Sequence, residues 1–141
     1  MITATATAPL SILVADDEEG IRNLLTKWLG SRGHIVACAD CGKNALHLLK
    51  RQHFDVIITD VMMPDGDGFE LISAVRRAQP DTRIVAISGG GQYIPSTDCL
   101  VLARGLGAHA TVQKPFNWEQ VRASITNALP PGTVLGDEVA A

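Results

Sequence analysis

Two adjacent acids, Asp16 and Asp17, stand with a lone Asp60 at the end of an apolar run, Ser88 at the end of another, and Lys114 directly before Pro115. An isolated aspartate is a poor nucleophile. Two further carboxylates beside it bind a divalent cation, and the cation neutralises the repulsion that an incoming phosphoryl donor meets. Side chains of these types suit the movement of a phosphoryl group onto a carboxylate, with Asp60 made reactive by the metal.

Each of these residues lies at or just past the carboxyl end of a candidate strand, the edge where open parallel sheets place their sites. The apolar runs Ile12-Leu13-Val14, Ile35-Val36-Ala37, Val56-Ile57-Ile58 and Ile84-Val85-Ala86-Ile87 are short and rich in β-branched residues, as buried parallel strands require. Ala110-Thr111-Val112 is a weaker fifth. Segments of helical period alternate with them: Ile21, Leu24, Leu25, Trp28 and Leu29 form one stripe, and Trp118, Val121 and Ile125 another. Five such units predict a doubly wound α/β fold, a (βα)5 three-layer sandwich around a central five-stranded parallel sheet. Gly30 and Gly33 are expected to close the first helix, Pro80 to follow the third, and Gly105 and Gly107 to close the fourth.

The chain of 141 residues fits one domain with a substantial core. We expect residues 1–9 to form a flexible extension, 10–129 the folded domain and 130–141 a tail; Met1 and the ending Val139-Ala140-Ala141 favour a whole protein. A net charge of −3 leaves no basic field for direct nucleic-acid binding. No apolar run approaches the ~18 residues of a membrane span, and the first nine residues lack the parts of a signal peptide, so a cytoplasmic location is expected. Three cysteines, Cys38, Cys41 and Cys99, argue for reduced thiols. Cys38-Ala-Asp-Cys41 has redox or zinc spacing but stands alone, and reads as a core thiol and a loop thiol.

Leu13-Val14-Ala15-Asp16-Asp17-Glu18, Ile58-Thr59-Asp60-Val61-Met62-Met63-Pro64-Asp65-Gly66-Asp67-Gly68, Ala86-Ile87-Ser88 and Lys114-Pro115-Phe116 occur in one order along the chain. Together they resemble the receiver domain of two-component response regulators, the CheY-like family. The resemblance covers about residues 10 to 129 and implies the flavodoxin-like strand order 2-1-3-4-5. It implies that Asp60 accepts a phosphoryl group from a phosphohistidine on a histidine kinase or histidine phosphotransfer protein. It further implies Mg2+ held by Asp17, Asp60 and the backbone carbonyl of Met62, with Asp16 acting through metal-bound water, as suits a cation that dehydrates reluctantly. Lys114, aimed by a cis bond to Pro115, would pair with Asp60 and later with a phosphoryl oxygen; Ser88 would be the switching hydroxyl. The domain would catalyse part of its own phosphorylation and hydrolysis.

Plainer explanations exist for each residue alone. Adjacent acids after a strand cap helices, a serine before Gly89-Gly90-Gly91 is turn chemistry, and Asp65-Gly66-Asp67-Gly68 lacks the later ligands of a calcium loop. Capping does not explain the recurrence with Asp60 and Lys114. Two departures from the family stand out: Thr111 occupies its usual aromatic position, and the stretch from Ser88 to Lys114, through Tyr93, Ile94 and Pro95, runs longer. His109 beside Thr111 reads as incidental.

On this basis the chain is expected to be a single-domain response regulator that signals through altered protein contacts. In the fourth helix Cys99, Leu102 and Ala103 are expected to face the core, leaving Leu100 and Val101 for a homodimer or downstream protein target. The alternative is a degenerate receiver acting as a phosphorylation-independent interaction module. A phosphohydrolase with an aspartyl-phosphate intermediate ranks last, because Met62 stands where such enzymes need a second acid.

Overall fold

The computed structural model describes residues 9–63, 68–89 and 96–131, with the backbone alone for residues 96, 97 and 99. Strands and helices alternate strictly: β1 Ser11–Ala15, α1 Glu19–Gly30, β2 Ile35–Ala39, α2 Gly42–Leu49, β3 Val56–Asp60, α3 Gly68–Ala78, β4 Arg83–Ser88, α4 Ser96–Leu106, β5 Ala110–Gln113 and α5 Trp118–Ala128. The strands form one sheet in the order β2-β1-β3-β4-β5, every pair parallel. The doubly wound fold and its order match the expectation.

Strand residues are apolar on both faces because both faces are covered. Leu13, Ala15, Ile57, Ile84 and Ala86 meet Leu49 of α2, Leu71, Ile72 and Val75 of α3 and Ala103 of α4. The alternate residues Ile12, Val14, Val56, Ile58, Val85 and Ile87 meet Leu25 and Leu29 of α1 and Val121 and Ile125 of α5. Each large side chain buried this way contributes about 1.5–3 kcal/mol, and β3, buried along its whole length, fixes the centre of the sheet.

β2 departs from the expected burial. It is an edge strand paired only to β1, so Ile35 is 66% exposed and Cys38, expected as a core thiol, is exposed with Sγ 3.2 Å from Thr26 Oγ1 of α1. Cys41 is instead the N-cap residue of α2, so the two thiols serve different elements.

Gly33 and Gly107 have φ of 89° and 124°, a region open to glycine, and each follows a helix as expected. Gly105 lies inside α4 and does not close it. The phase of α4 also differs from the sequence reading. Leu100 packs partly against the core beside buried Ala103, whereas Leu102 is 52% exposed together with Val101 and Leu106. With 3.6 residues per turn, positions 100, 103 and 107 share the inward face. The Cys99 side chain lies outside the described residues, as do residues 1–8, Pro64 to Asp67, Gly90 to Pro95 and the tail from Gly132.

Candidate functional site

Register brings four strand ends to one level. Ala15 is paired with Thr59, Asp60 with Ile87, and Ser88 with Gln113, so the residues at the ends of β1, β3, β4 and β5 meet along one edge. Asp16 leaves β1 and is 1% exposed; Asp60 ends β3 and is 5% exposed; Ser88 ends β4 fully buried. Lys114 follows β5, its amide donating to the Ser88 carbonyl at 2.9 Å, and its bond to Pro115 is cis. A capping box between Asn117 and Gln120 starts α5 just beyond.

The carboxyl of Asp60 is held at both oxygens. Oδ1 accepts the Met62 amide at 2.9 Å, and Oδ2 lies 2.9 Å from Lys114 Nζ. Asp16 Oδ1 accepts the Glu18 amide at 2.9 Å, while its backbone carbonyl accepts Arg22 Nη1 at 2.9 Å. The acids do not cap α1 in the ordinary way, since Glu18 is its N-cap residue. Lys114 Nζ also reaches Asp16 Oδ2 at 3.1 Å and Glu18 Oε2 at 2.6 Å. Nζ hydrogen-bonds to Glu18 and Asp60, whereas Asp16 Oδ2 is a close ion-pair partner outside hydrogen-bond geometry.

Burial pushes the Asp16 carboxyl up to about 6; the Glu18 amide opposes that rise, Asp60 adds to it, and Lys114 again opposes it. Burial alone would weaken the Lys114 ammonium, but Glu18, Asp60 and Asp16 together hold its pKa above the ordinary lysine range. The ammonium is therefore a fixed charge at neutral pH.

Carboxylate oxygens of Asp16, Asp17, Glu18 and Asp60 lie within 4.8 Å of one another. One ammonium cannot balance four carboxylates. Asp16 Oδ2 is buried without a hydrogen bond, and the donor set is oxygen throughout, so these residues fit a hard divalent cation. Met62 stands beside Asp60, with its side chain exposed.

The sequence reading omitted Glu18 as a site residue, although it directly follows the acidic pair. It also passed over Gly68 at the start of α3, where a Cβ would come within 2.0 Å of the Asp60 carbonyl oxygen. Only glycine lets α3 begin against Asp60. His109 is not incidental: its Nδ1 accepts the Ile84 amide at 3.0 Å and its own amide donates to the Ile84 carbonyl at 2.8 Å. Thr111 is half-buried on β5, paired with Ala86.

The model of the response regulator receiver domain family matches residues 12–126, and the chain belongs to that family. Among curated relatives, the DNA-binding transcriptional regulator NtrC of Azospirillum brasilense is 34% identical over 131 residues, covering 90% of this chain and 26% of the relative. The chain spans about a quarter of the length of the curated relatives it matches first. Among solved structures, chemotaxis protein CheY4 of Vibrio cholerae has a TM-score of 0.76 at 31% identity, covering 86% of this chain and all of that one. A response regulator of Burkholderia pseudomallei, solved with a phosphorylated aspartic acid, calcium ion and citrate, has a TM-score of 0.74 at 32% identity, covering 84% of this chain and 68% of that one. Among the described residues no helix is long and apolar enough to cross a membrane.

Proposed function

We propose that this receiver is a phosphoacceptor switch of a two-component phosphorelay, working in the cytoplasm, with residues 10–129 as its working unit. Asp60 takes the phosphoryl group from a phosphohistidine of a histidine kinase or histidine phosphotransfer protein. The observation that carries this reading is the Lys114 ammonium 2.9 Å from Asp60 Oδ2 inside a cluster of four carboxylates. The P–N bond to the donor imidazole breaks, its electron pair stays on the nitrogen, and a P–O bond forms to the Asp60 carboxylate.

Asp17, Asp60 and the Met62 carbonyl would hold Mg2+, with Asp16 acting through water, and the bound cation would supply charge neutralisation for the incoming phosphoryl oxygens. Lys114 holds the acceptor carboxylate in place and offers its ammonium to a phosphoryl oxygen. Ser88, buried at the end of β4 and joined through its carbonyl to the Lys114 amide, would turn its hydroxyl toward the added group. Beside Lys114 a groove of about 530 Å³, lined by Ile21, Leu24, Pro115 and Phe116, gives the donor's histidine-bearing surface an apolar seat.

The output is a change in protein contacts at α4. Val101, Leu102 and Leu106 are 69%, 52% and 42% exposed there, an apolar face suited to a homodimer or a downstream protein target. Phosphorylation adds negative charge and acceptor oxygens at Asp60, and movement of Ser88 and Lys114 would bias that face between two states.

The test uses the purified chain and Asp60→Asn with Mg2+ and acetyl phosphate, followed by intact mass. A single phosphoryl adduct on the parent alone, absent after chelation, is expected. No adduct on the parent would overturn the reading in favour of a phosphorylation-independent interaction module.

A further inference from the structure

The carboxylate of Glu18 is turned away from the helix it begins. Glu18 is the N-cap residue of α1, with φ −89° and ψ 117°, yet its side chain caps none of that helix's first amides. Its backbone is fixed on both sides: the amide donates to Asp16 Oδ1 at 2.9 Å, and the carbonyl accepts from Ile21 and Arg22 at 3.1 Å each. The side chain crosses to Lys114, 96 residues further along, where Oε2 lies 2.6 Å from Nζ.

Lys114 is thus shared among three carboxylates, at 2.6 Å to Glu18, 2.9 Å to Asp60 and 3.1 Å to Asp16. The three partners are not equivalent. The Asp16 and Asp60 side chains are 1% and 7% exposed, and backbone amides hold both; that of Glu18 is 60% exposed. Of the three, Glu18 alone can move its charge into water without leaving a buried carboxylate unpaired.

We infer that Glu18 is a positioning residue for Lys114, a displaceable anchor that restrains the ammonium while Asp60 is unmodified and yields it when phosphoryl charge arrives. The inference rests on Asp60 being the phosphoacceptor. A phosphoryl group offers more charge and more acceptor oxygens than one carboxylate, so it outcompetes Glu18 for the same ammonium. Before transfer, Glu18 both occupies Lys114 and repels an anionic donor at the mouth of the site. It slows the reaction that Lys114 assists.

The experiment compares the full chain with Glu18→Gln, which keeps the shape and removes the charge. Glu19→Gln is the control, since Glu19 is an exposed acid one residue further along, in the first turn of α1. At Mg2+ concentrations saturating for each variant, Glu18→Gln is expected to take a phosphoryl group from acetyl phosphate about 3–10-fold faster, and Glu19→Gln to stay within about twofold. A second readout needs neither metal nor phosphorylation: the 1H–15N resonance of the Lys114 ammonium in the metal-free chain, expected to shift or broaden in Glu18→Gln only. An unchanged ammonium resonance overturns the anchor, and a changed resonance with an unchanged rate overturns the restraint. If the parent takes no phosphoryl group at all, the phosphoacceptor reading fails, while the resonance still reports whether Glu18 holds Lys114.

Discussion

Lys114 Nζ lies 2.9 Å from Asp60 Oδ2, two side chains separated by 54 residues and delivered by strands that are not neighbours in the sheet. β4 stands between them, and its last residue, Ser88, accepts the Lys114 amide through its carbonyl. The ammonium sits amid acids, in a place where a bound divalent cation would compete with it.

Replacing Lys114 by Met would remove that competition and the contact to Asp60 together. Mg2+ affinity measured by calorimetry is expected to rise about tenfold, because one positive charge a few ångströms away is worth about 1–2 kcal/mol in a partly wet site. Phosphorylation from acetyl phosphate is expected to slow by about two orders of magnitude. An affinity that falls or stays level would mean that the lysine does not oppose the cation.

Gly68→Ala tests the approach of α3 to Asp60. The added Cβ would lie 2.0 Å from the Asp60 carbonyl oxygen and 2.5 Å from Val61 Cα, both backbone atoms that cannot swing aside. Urea denaturation is expected to show a loss of about 3 kcal/mol or more. A loss under about 1 kcal/mol would show that α3 can back away without cost.

Acid should weaken the fold through His109. Burial, then the charges of Arg83, Arg76 and Arg104, lowers its pKa from 6.5 to about 4, and its Nδ1 must stay unprotonated to accept the Ile84 amide. A lowered pKa means that the unfolded chain binds the proton first. The stabilisation is present above 6.5 and is lost as pH falls from there toward about 4. His34, lowered by burial and by Arg32 and accepting the Leu10 amide at Nδ1, acts in the same direction. Asp16, raised from 3.8 to about 6, acts in the opposite direction over the same window, so the readout is a difference. On acidification from about pH 7 to 4, urea denaturation should show His109→Gln losing about 1–2 kcal/mol less stability than the parent chain. A parallel slope in the variant would assign the pH dependence elsewhere.

On α4, Val101→Lys with Leu102→Lys should leave stability within about 0.5 kcal/mol, because both side chains are exposed. The same pair should abolish self-association or partner binding of the phosphorylated chain in sedimentation or pull-down measurements. Leu100→Asp makes the contrast: it packs against the core, so it should cost about 2–4 kcal/mol. Unchanged association in the double variant would leave the exposed residues without an output role.

Much of this protein is local in its sequence. Short β-branched runs such as Val56-Ile57-Ile58 are set by a period that neighbours along the chain reveal, and chemically distinctive residues directly after them mark one sheet edge. Asp16, Asp60, Ser88 and Lys114 were legible for that reason, as were the alternation of elements and the parallel sheet.

Other properties depend on what covers an element, and coverage comes from distant chain. Ile35 belongs to a run as apolar as its neighbours, yet lies 66% exposed because β2 ends the sheet. Leu100 and Leu102 are the same residue type two positions apart, and only the packing of α4 beside β4 and β5 turns one inward and the other out. The tertiary structure alone could join Glu18 to Lys114. A composition or a period says which residue types an element needs, whereas an ion pair across 96 residues exists only once two loops have been brought to the same edge.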